Sequence, residues 1–192
     1  IQNQVAGSFK ERKITIERCP ASAREEYAYN IFAEMRLEMD ESGARGKGIL
    51  FKTSLEKSLF SSPAACIKSI DARIKSLTKK YTEFEMPDIA KLRELKEALQ
   101  LISPADFSRY TTLLNLLKSK EYGWTPSKNN DRLVIFTERI ETMKYLAENI
   151  KKDMNLSEKQ VEVMHGGMSD KELQRIVDEF GRAESPIRVI VA

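Results

Sequence analysis

Two short polar segments follow apolar runs in the last third of the chain. Their members are a hydroxyl, a carboxylate, a guanidinium, an imidazole and two glycines: Thr137, Glu138, Arg139, His165, Gly166 and Gly167. Glycines let a backbone approach a phosphate closely, and the N–H groups at the start of a helix attract anions. The two segments therefore indicate a surface that could contact phosphate groups.

Each of these residues also has a simpler interpretation. The glycine pair could serve only to allow a tight turn. His165 could donate a hydrogen bond to a loop carbonyl, since a single histidine has no catalytic partner. Thr137 could cap the helix that follows it, and Arg139 could be an ordinary surface residue. The sequence leaves both interpretations open.

Three apolar runs and two helical patterns must position these segments. The run 132–137 lacks the alternation of a half-exposed strand and predicts a strand buried on both faces, and 161–164 and 187–191 predict two more. Between them apolar residues recur at helical spacing, and Ser169 with Glu172 has the spacing of a capping box. Strands that alternate with helices predict a parallel sheet with right-handed crossovers. Such sheets bind ligands at the carboxyl ends of their strands, where both polar segments fall.

Residues 1–130 are predicted to be mainly helical. A short strand is expected at 13–17, and Ser22 with Glu25 has capping-box spacing for a first helix. The apolar face of this helix is formed by residues four positions apart, with Ala28 and Phe32 beside them: Tyr27, Ile31, Met35 and Met39. The glycine-rich segment 42–48 is predicted to be a loop.

Further helices are predicted from their own start signals. One helix is expected over 50–59. The Ser-Pro pairs at 62–63 and 103–104 each combine a capping residue with a first-turn proline. Asp88 is predicted to cap a helix between them, after a linker at 81–87.

Composition favours a soluble globular chain. Of its 192 residues 41% are apolar and 32% charged, and the apolar runs are too short to span a membrane, so we expect no membrane partner. Cys19 and Cys66 form no metal-ligand pattern, which fits free thiols in a reducing, cytoplasmic compartment. The single histidine excludes a multi-histidine metal site within the chain.

Positive charge is concentrated in one helical stretch. The net charge of +3 is too small to argue for nucleic acid by itself. The stretch 47–80, however, holds eight basic residues against two acidic ones, and it could lie along a phosphate backbone. An ordinary solvated helix face is the alternative interpretation.

The Gly46-Lys47 dipeptide is not part of a P-loop. That motif needs a glycine, four residues and then Gly-Lys-Ser/Thr. Here Glu41 stands at the position of the first glycine, and Gly48 follows the lysine. We therefore reject ATP binding at this loop.

The order of these segments resembles the carboxy-terminal RecA-like lobe of superfamily 2 helicases and Swi/Snf-type ATP-dependent DNA translocases. Segment 133–138 is similar to their motif IV, and a helix like 108–117 precedes that motif in the family. Segment 164–169 is similar to the segment after it, and 187–192 to the strand that leads into motif V. Leu173 stands where DEAD-box relatives carry an arginine, which favours the Swi/Snf side over an RNA helicase.

The resemblance implies an α/β fold in two parts. Residues 1–102 would form a mainly helical region with a short leading strand, and residues 103–192 the first half of the second RecA-like lobe. Within that lobe, 131–192 would form a partial parallel sheet of order β-α-β-α-β. The family continues into motifs V and VI after the position of Ala192, so we expect a truncated lobe whose last strand presents unpaired edge groups and promotes self-association.

The function implied by the resemblance is that of a fragment of an ATP-dependent DNA helicase or translocase. Its partners would be nucleic acid, in particular DNA, and the amino-terminal RecA-like lobe of the same parent protein. ATP and magnesium are expected for that parent, while this chain alone should hold no cofactor or metal and should not hydrolyse ATP. The nucleic-acid surface would include the six residues of the two polar segments.

Two other functions remain as alternatives. The chain could be a non-catalytic protein-binding or regulatory domain with a helicase-like fold. It could also be an unrelated doubly wound domain that binds a small molecule in a deep apolar pocket.

Overall fold

The computed structural model describes residues 14–37, 47–120, 122–128 and 131–192. Within these ranges the chain forms an α/β fold with seven α-helices and one three-stranded parallel sheet, and a mainly helical region precedes the sheet. This is the predicted fold class, and it is consistent with a partial RecA-like fold.

The helical region precedes the α/β part in the chain. Its helices are α1 (Ala23–Glu34), α2 (Lys47–Ser61), α3 (Pro63–Leu77), α4 (Asp88–Gln100) and α5 (Ser108–Lys118). The α/β part consists of β1 (Leu133–Ile135), α6 (Ile140–Asp153), a 3-10 turn (Glu158–Gln160), β2 (Val161–Val163), α7 (Asp170–Phe180) and β3 (Val189–Val191).

The sheet has the order β1-β3-β2, and both pairs of neighbouring strands are parallel. The three strands end in register, with Ile135 and Val163 both opposite Val191. The predicted parallel arrangement of the three apolar runs is therefore confirmed. Each strand is shorter than its run, and Phe136, predicted to lie in the first strand, follows its end and is 83% exposed.

The last strand is not at an edge of the sheet, so the prediction of unpaired groups on 187–191 was wrong. β3 lies between β1 and β2 and is hydrogen-bonded on both sides, because the chain returns from α7 into the space between the first two strands. The edges are β1 and β2, which have three residues each. Edge strands this short offer few free backbone groups to another chain.

Helices cover both faces of the sheet. α6 packs against β2 and β3, and Val189 and Val191 join a core that extends back to Ala28 on α1. On the opposite face a smaller cluster contains Ile176 of α7 and Ile190 of β3. None of the helices in the described part of the chain combines the length and apolar character needed to cross a membrane.

Two predicted helix starts are confirmed by their caps. Ser22 and Glu25 form a capping box at α1. Ser62 caps α3 by accepting the N–H of Ala65 at 3.1 Å, with Pro63 in the first turn. These signals succeed because the side chain, its backbone partner and the proline are all local in sequence.

The predicted start at Ser103 was wrong. α5 begins at Ser108, and residues 104–106 form a turn. The carboxylate of Asp106 accepts hydrogen bonds from the N–H and the hydroxyl of Ser103, which closes the turn on itself. Phe107 then takes an extended conformation and is buried, so the helix begins only after it.

The predicted leading strand is also corrected. Ile14 and Ile16 belong to no strand in the structure and are 69% and 90% exposed; Lys13 lies outside the described residues. No strand of the described part pairs with this segment, and an isolated strand has no partner for its backbone groups. The prediction of a leading strand was therefore wrong for residues 14–17.

The predicted apolar face of α1 is confirmed in part. The buried face consists of Ala28, Phe32 and the following Met35, while Tyr27 is 55% exposed. Ala28 and Phe32 were expected beside the stripe and Met35 within it, and Ile31 of the stripe also packs against the core. Met39 is outside the described residues.

Two more boundaries in the helical region are corrected. Residues 42–46 of the predicted glycine-rich loop lie outside the described part, and Lys47 and Gly48 belong to α2. Asp88 does not cap α4 from outside, because Pro87 is at the cap position and Asp88 is a buried residue of the first turn.

Candidate nucleic-acid interface

The two polar segments lie at the same edge of the sheet. The N–H of Thr137 donates to the carbonyl of Ala192 at 2.6 Å, and the N–H of Ala192 donates to Ile135 at 2.8 Å. On the other side of β3, the N–H of Met164 donates to Val191 at 2.8 Å. Because neighbouring strands are about 4.8 Å apart, the segments that follow β1 and β2 are separated by roughly 10 Å.

The segment after β1 connects this edge to the helical region. The hydroxyl oxygen of Thr137 accepts the N–H of Arg139 at 3.5 Å, which leaves the hydroxyl hydrogen able to donate elsewhere. Glu138 is exposed. Arg139 is half-buried, and its guanidinium donates to the carbonyl of Ser54 on α2 at 3.4 Å. Arg139 is therefore more than a surface residue, because it joins the sheet edge to α2.

The segment after β2 is a tight turn built on His165. Its Nδ1 accepts the N–H of Gly167 at 3.2 Å, and its carbonyl accepts the N–H of Met168 at 3.0 Å. In a neutral imidazole whose Nδ1 is an acceptor, the proton is on Nε2. His165 therefore keeps one donor, Nε2–H, for a group outside the turn.

The two glycines of this turn have different structural requirements. Neither has a positive φ, so neither is needed for a left-handed conformation. A Cβ at Gly167 would lie 3.2 Å from Nδ1 of His165, whereas a Cβ at Gly166 would meet nothing within 4 Å. The turn therefore explains why position 167 is glycine. It gives no reason for glycine at position 166.

Gly166 has the backbone group best suited to an external anion. The residue is exposed, and its N–H has no hydrogen-bond partner within the described ranges. Without a Cβ, the backbone here is open to the close approach of a phosphate oxygen.

The start of α7 is less suited to anions than the sequence indicated. Ser169 and Glu172 form the predicted capping box, and Asp170 adds a second carboxylate to the first turn. The pKa of Glu172 is held below its usual range, first by the hydrogen bond from the Ser169 hydroxyl and then by the Ser169 N–H. These carboxylates already satisfy the positive end of the helix dipole, so a phosphate gains little there.

A cavity of about 680 Å³ opens beside the first segment. It lies between α2, α5, α6 and the residues after β1, and Thr137 and Glu138 form part of its lining. Sequence reasoning missed it because its walls come from distant parts of the chain. The local signal was Phe136, an aromatic residue directly before the polar segment.

The basic stretch 47–80 is only partly available to a polyanion. Lys52 donates to the carbonyl of Met35 at 2.7 Å and lies over an aromatic ring, and Arg73 lies over the ring of Phe51. The remaining exposed lysines on and after α3 are Lys68, Lys75, Lys79 and Lys80. Lys57 of α2 is exposed as well, and it lines the same cavity as Thr137 and Glu138.

Neither cysteine nor carboxylate clusters indicate a metal centre. No group of three or more His, Cys, Asp or Glu side chains in the described residues is arranged to hold a metal ion. Cys19 and Cys66 are both free. Burial raises the pKa of the Cys66 thiol to about 12, although the charge of Arg139 acts in the opposite direction.

Comparisons with known proteins bear on the family of the carboxy-terminal part of the chain. Searches among curated proteins and among solved structures gave no match to the chain. Residues 108–192, from the start of α5 to the end of β3 and Ala192, match the family model described as the helicase conserved C-terminal domain, which supports the carboxy-terminal lobe of a superfamily 2 helicase.

Proposed function

We propose that this chain contributes one side of a nucleic-acid track to an ATP-dependent DNA helicase or translocase of the Swi/Snf type. The observation that carries the proposal is that Thr137 follows the end of β1 and the turn 165–167 follows the end of β2, at the same edge of the sheet. This edge lies within the residues that match the helicase domain. Ligands of open parallel sheets bind at this end of the strands.

The donors at this edge suit a phosphate backbone. They are the hydroxyl of Thr137, the Nε2–H of His165 and the N–H of Gly166, all neutral groups. Contacts of this kind hold a strand in position without reading its sequence. Glu138 would repel a phosphate, so we assign it to contacts with bases instead, and Arg139 holds the edge against α2.

ATP and magnesium would supply phosphoryl-transfer chemistry to such an enzyme, but the described residues do not fit them. The turn 165–167 leads into a helix whose first turn carries Asp170 and Glu172, and like charge disfavours a triphosphate there. We therefore derive no step of hydrolysis within this chain. In the proposal, nucleotide binding belongs to an amino-terminal RecA-like lobe that faces the same edge.

Binding of labelled oligonucleotides to the 192-residue chain tests this proposal. Fluorescence anisotropy with single-stranded DNA, duplex DNA and RNA should show saturable binding that weakens as salt increases, because phosphate contacts release counterions. The expected preference is for DNA over RNA. Absence of binding to all three would favour the alternative of a protein-binding or regulatory domain.

The variant Gly166→Ala separates a functional glycine from a structural one. Its added Cβ meets nothing in the protein, so the urea midpoint of unfolding should not change. It does obstruct the approach of a phosphate to the backbone, so affinity should fall roughly fivefold, about the loss of one hydrogen bond.

Gly181→Ala is the matched control for this variant. Gly181 is an exposed glycine at the far end of α7, where a Cβ would make ordinary contacts of 3.6 and 3.7 Å. Its substitution should change neither stability nor binding. If Gly166→Ala binds as tightly as Gly181→Ala, the glycine turn is not part of the track.

A further inference from the structure

A second cavity lies in the helical region, away from the sheet edge. Its volume is about 590 Å³, and it is bounded by the segment before α1, by α1 itself, by the junction of α2 and α3, by the end of α4 and by the start of α5. None of the described strand residues lines it. Cavities of this size are typical of sites that bind small organic molecules.

The buried part of the lining is apolar. It consists of residues from α3, α4 and the turn before α5: Pro63, Leu99, Ile102 and Phe107. Nearer the surface, the rings of Tyr29 and Phe60 pack on each other with their centroids 6.0 Å apart, and the two residues are 45% and 46% exposed. The lining therefore offers apolar contacts both in its buried part and at its surface.

One face of α1 supplies most of the polar groups of this cavity. The lining residues of α1 are adjacent on the helix surface because of their spacing: Glu25, Glu26, Tyr29 and Asn30. One carboxylate oxygen of Glu25 accepts the N–H of Ser22 at 2.8 Å. The other accepts the N–H and the hydroxyl of Ser108, both at 3.2 Å, which joins α1 to the start of α5. All of these donors are neutral, so no cation compensates the charge of Glu25.

The unpaired charges of the lining favour a cationic ligand. Glu26 is exposed, and within the described ranges its carboxylate forms no ion pair or hydrogen bond. Arg109, on α5, is exposed and likewise unpaired with any described residue. Together with Glu25, two carboxylates therefore stand against one guanidinium. The rings of Tyr29 and Phe60 act in the same direction, because the face of an aromatic ring attracts cations.

We propose that this cavity binds a small organic amine, with its apolar body against the buried residues of the lining and its ammonium group at the carboxylate of Glu26. A neutral molecule of the same shape has the apolar contacts without the attraction of the carboxylates. An anion is attracted only by Arg109 and is repelled by both glutamates. The site is separate from the candidate nucleic-acid interface and does not depend on the proposed function.

The thiol of Cys19 can report whether the cavity is occupied, because Cys19 is half-buried and lines it. The chain has one other cysteine, Cys66, which is fully buried. Burial also raises the pKa of the Cys66 thiol to about 12, so little of the reactive thiolate is present. Iodoacetamide should therefore modify Cys19 first, and mass spectrometry of peptides identifies the modified residue.

Three probes of nearly equal shape separate charge from apolar contact. They are phenylbutylamine, which is a cation at neutral pH, phenylbutanol, which is neutral, and phenylbutyrate, which is an anion. Each is titrated into the full chain while the rate of Cys19 modification is measured. The amine should slow modification saturably, with a dissociation constant about tenfold lower than that of the alcohol, the size expected for one interaction with a charged group. The butyrate should protect Cys19 less than the alcohol does.

The variant Glu26→Gln connects the preference for the amine to this cavity. It removes a charge and keeps the size of the side chain, so the dissociation constant of phenylbutylamine should rise about fivefold, while that of phenylbutanol should not change. Because Glu26 is exposed, the fold should be preserved, which circular dichroism would check.

Glu34→Gln is the matched control. Glu34 is an exposed carboxylate at the end of the same helix, and it does not line the cavity. Its substitution changes the net charge of the chain by the same amount and should leave the dissociation constants of both probes unchanged.

Four outcomes would overturn the inference. If no probe protects Cys19, the cavity does not bind this class of ligand. Equal protection by all three probes would mean that the lining does not select for charge, and strongest protection by the butyrate would mean that Arg109 selects an anion. Equal effects of Glu26→Gln and Glu34→Gln would place the ammonium group away from Glu26. Each result leaves the oligonucleotide experiments to decide the proposed function by themselves.

Discussion

His165 shows how one hydrogen bond decides what the sheet edge can bind. Its Nδ1 accepts the N–H of Gly167, which leaves the proton on Nε2 as a donor. The same bond consumes the N–H of Gly167, so the neighbouring Gly166 carries the available backbone donor. An imidazole in the opposite tautomer could not accept the N–H of Gly167 and would have no proton on Nε2 to donate.

The lowered pKa of Glu172 predicts how the stability of the fold depends on pH. This pKa is lowered first by the hydroxyl of Ser169 and then by the Ser169 N–H. Because the folded state favours the ionised form, this contribution to stability is fully present above the ordinary pKa of a glutamate. It is lost as the pH falls through the lowered pKa of the folded state.

Carboxyl NMR titration of Ser169→Ala would check this prediction. The midpoint for Glu172 should move upward, toward the ordinary glutamate value, because the larger of the two causes is removed. Glu148, whose pKa is lowered first by its hydrogen bond with Lys151, should keep its midpoint in the same variant. An unchanged Glu172 midpoint would contradict the capping-box assignment.

Among the contacts between elements, three hydroxyls join α2 and α3 to α6. Ser62 caps α3, and its Oγ lies 2.7 Å from Oγ1 of Thr142 on α6. Ser61 makes a second contact with the same Thr142 hydroxyl at 2.7 Å. Both Ser62 and Thr142 are buried, so these polar groups depend on each other for hydrogen bonds.

The variant Ser62→Ala should therefore cost more than the loss of a cap. A lost N-cap costs about 1 kcal/mol, and weakening the buried hydroxyl network should bring the total to about 2 kcal/mol. Ser22→Ala removes the comparable cap of α1 without a buried hydroxyl partner and should cost about 1 kcal/mol. Urea unfolding at constant m-value would measure the free energy of unfolding of both variants. An equal decrease in the two variants would mean that the Ser62–Thr142 hydrogen bond contributes nothing to stability.

Patterns among residues close in sequence predicted most helices and strands. They could not predict arrangements that depend on residues far apart in sequence, such as the order of the strands in the sheet. The capping boxes at Ser22 and Ser169 involve residues three positions apart, so the sequence shows both partners. The position of β3 between β1 and β2 depends on how the chain returns from α7, which no spacing records. The turn after Ser103 was missed because burial of Phe107 competes with the helix signal.

The candidate site could likewise be predicted only in part from the sequence. Both polar segments could be placed at the carboxyl edge, because strand order along the chain and parallel direction suffice for that. The cavity could not, because its lining comes from α2, α5 and α6 as well as from the residues after β1. Arg188 is a further example: it is buried, and its guanidinium donates to the carbonyl of Pro126 at 3.2 Å, a partner that lies far away in sequence.

At the scale of the whole molecule, one hydrophobic core extends across both parts of the chain. It runs from Ala28 on α1, through α3 and α4, to Val191 on β3. The contacts of α3 with α6 cross the boundary that the sequence placed between 1–102 and 103–192, as does the Ser62–Thr142 bond. That division stays a prediction, and unfolding can test it.

We expect the described parts of the chain to unfold as one cooperative unit. Trp124, the only tryptophan, is buried in the shared core and reports on packing next to the α/β part. Far-ultraviolet circular dichroism reports mainly on the helices, most of which precede the sheet. Because one core connects them, both signals should give the same urea midpoint and the same m-value.

Separate transitions would support two independently stable domains instead. Leu92→Ala on α4 sharpens the comparison, because this fully buried residue is in the helical region. The substitution should lower the free energy of unfolding by about 3 kcal/mol. If the core is shared, it should lower the urea midpoint seen by Trp124 as much as the midpoint seen by circular dichroism. A shift confined to the dichroism signal would show that the helical region unfolds without disturbing the sheet, and that the helicase-like part is held together by its own contacts.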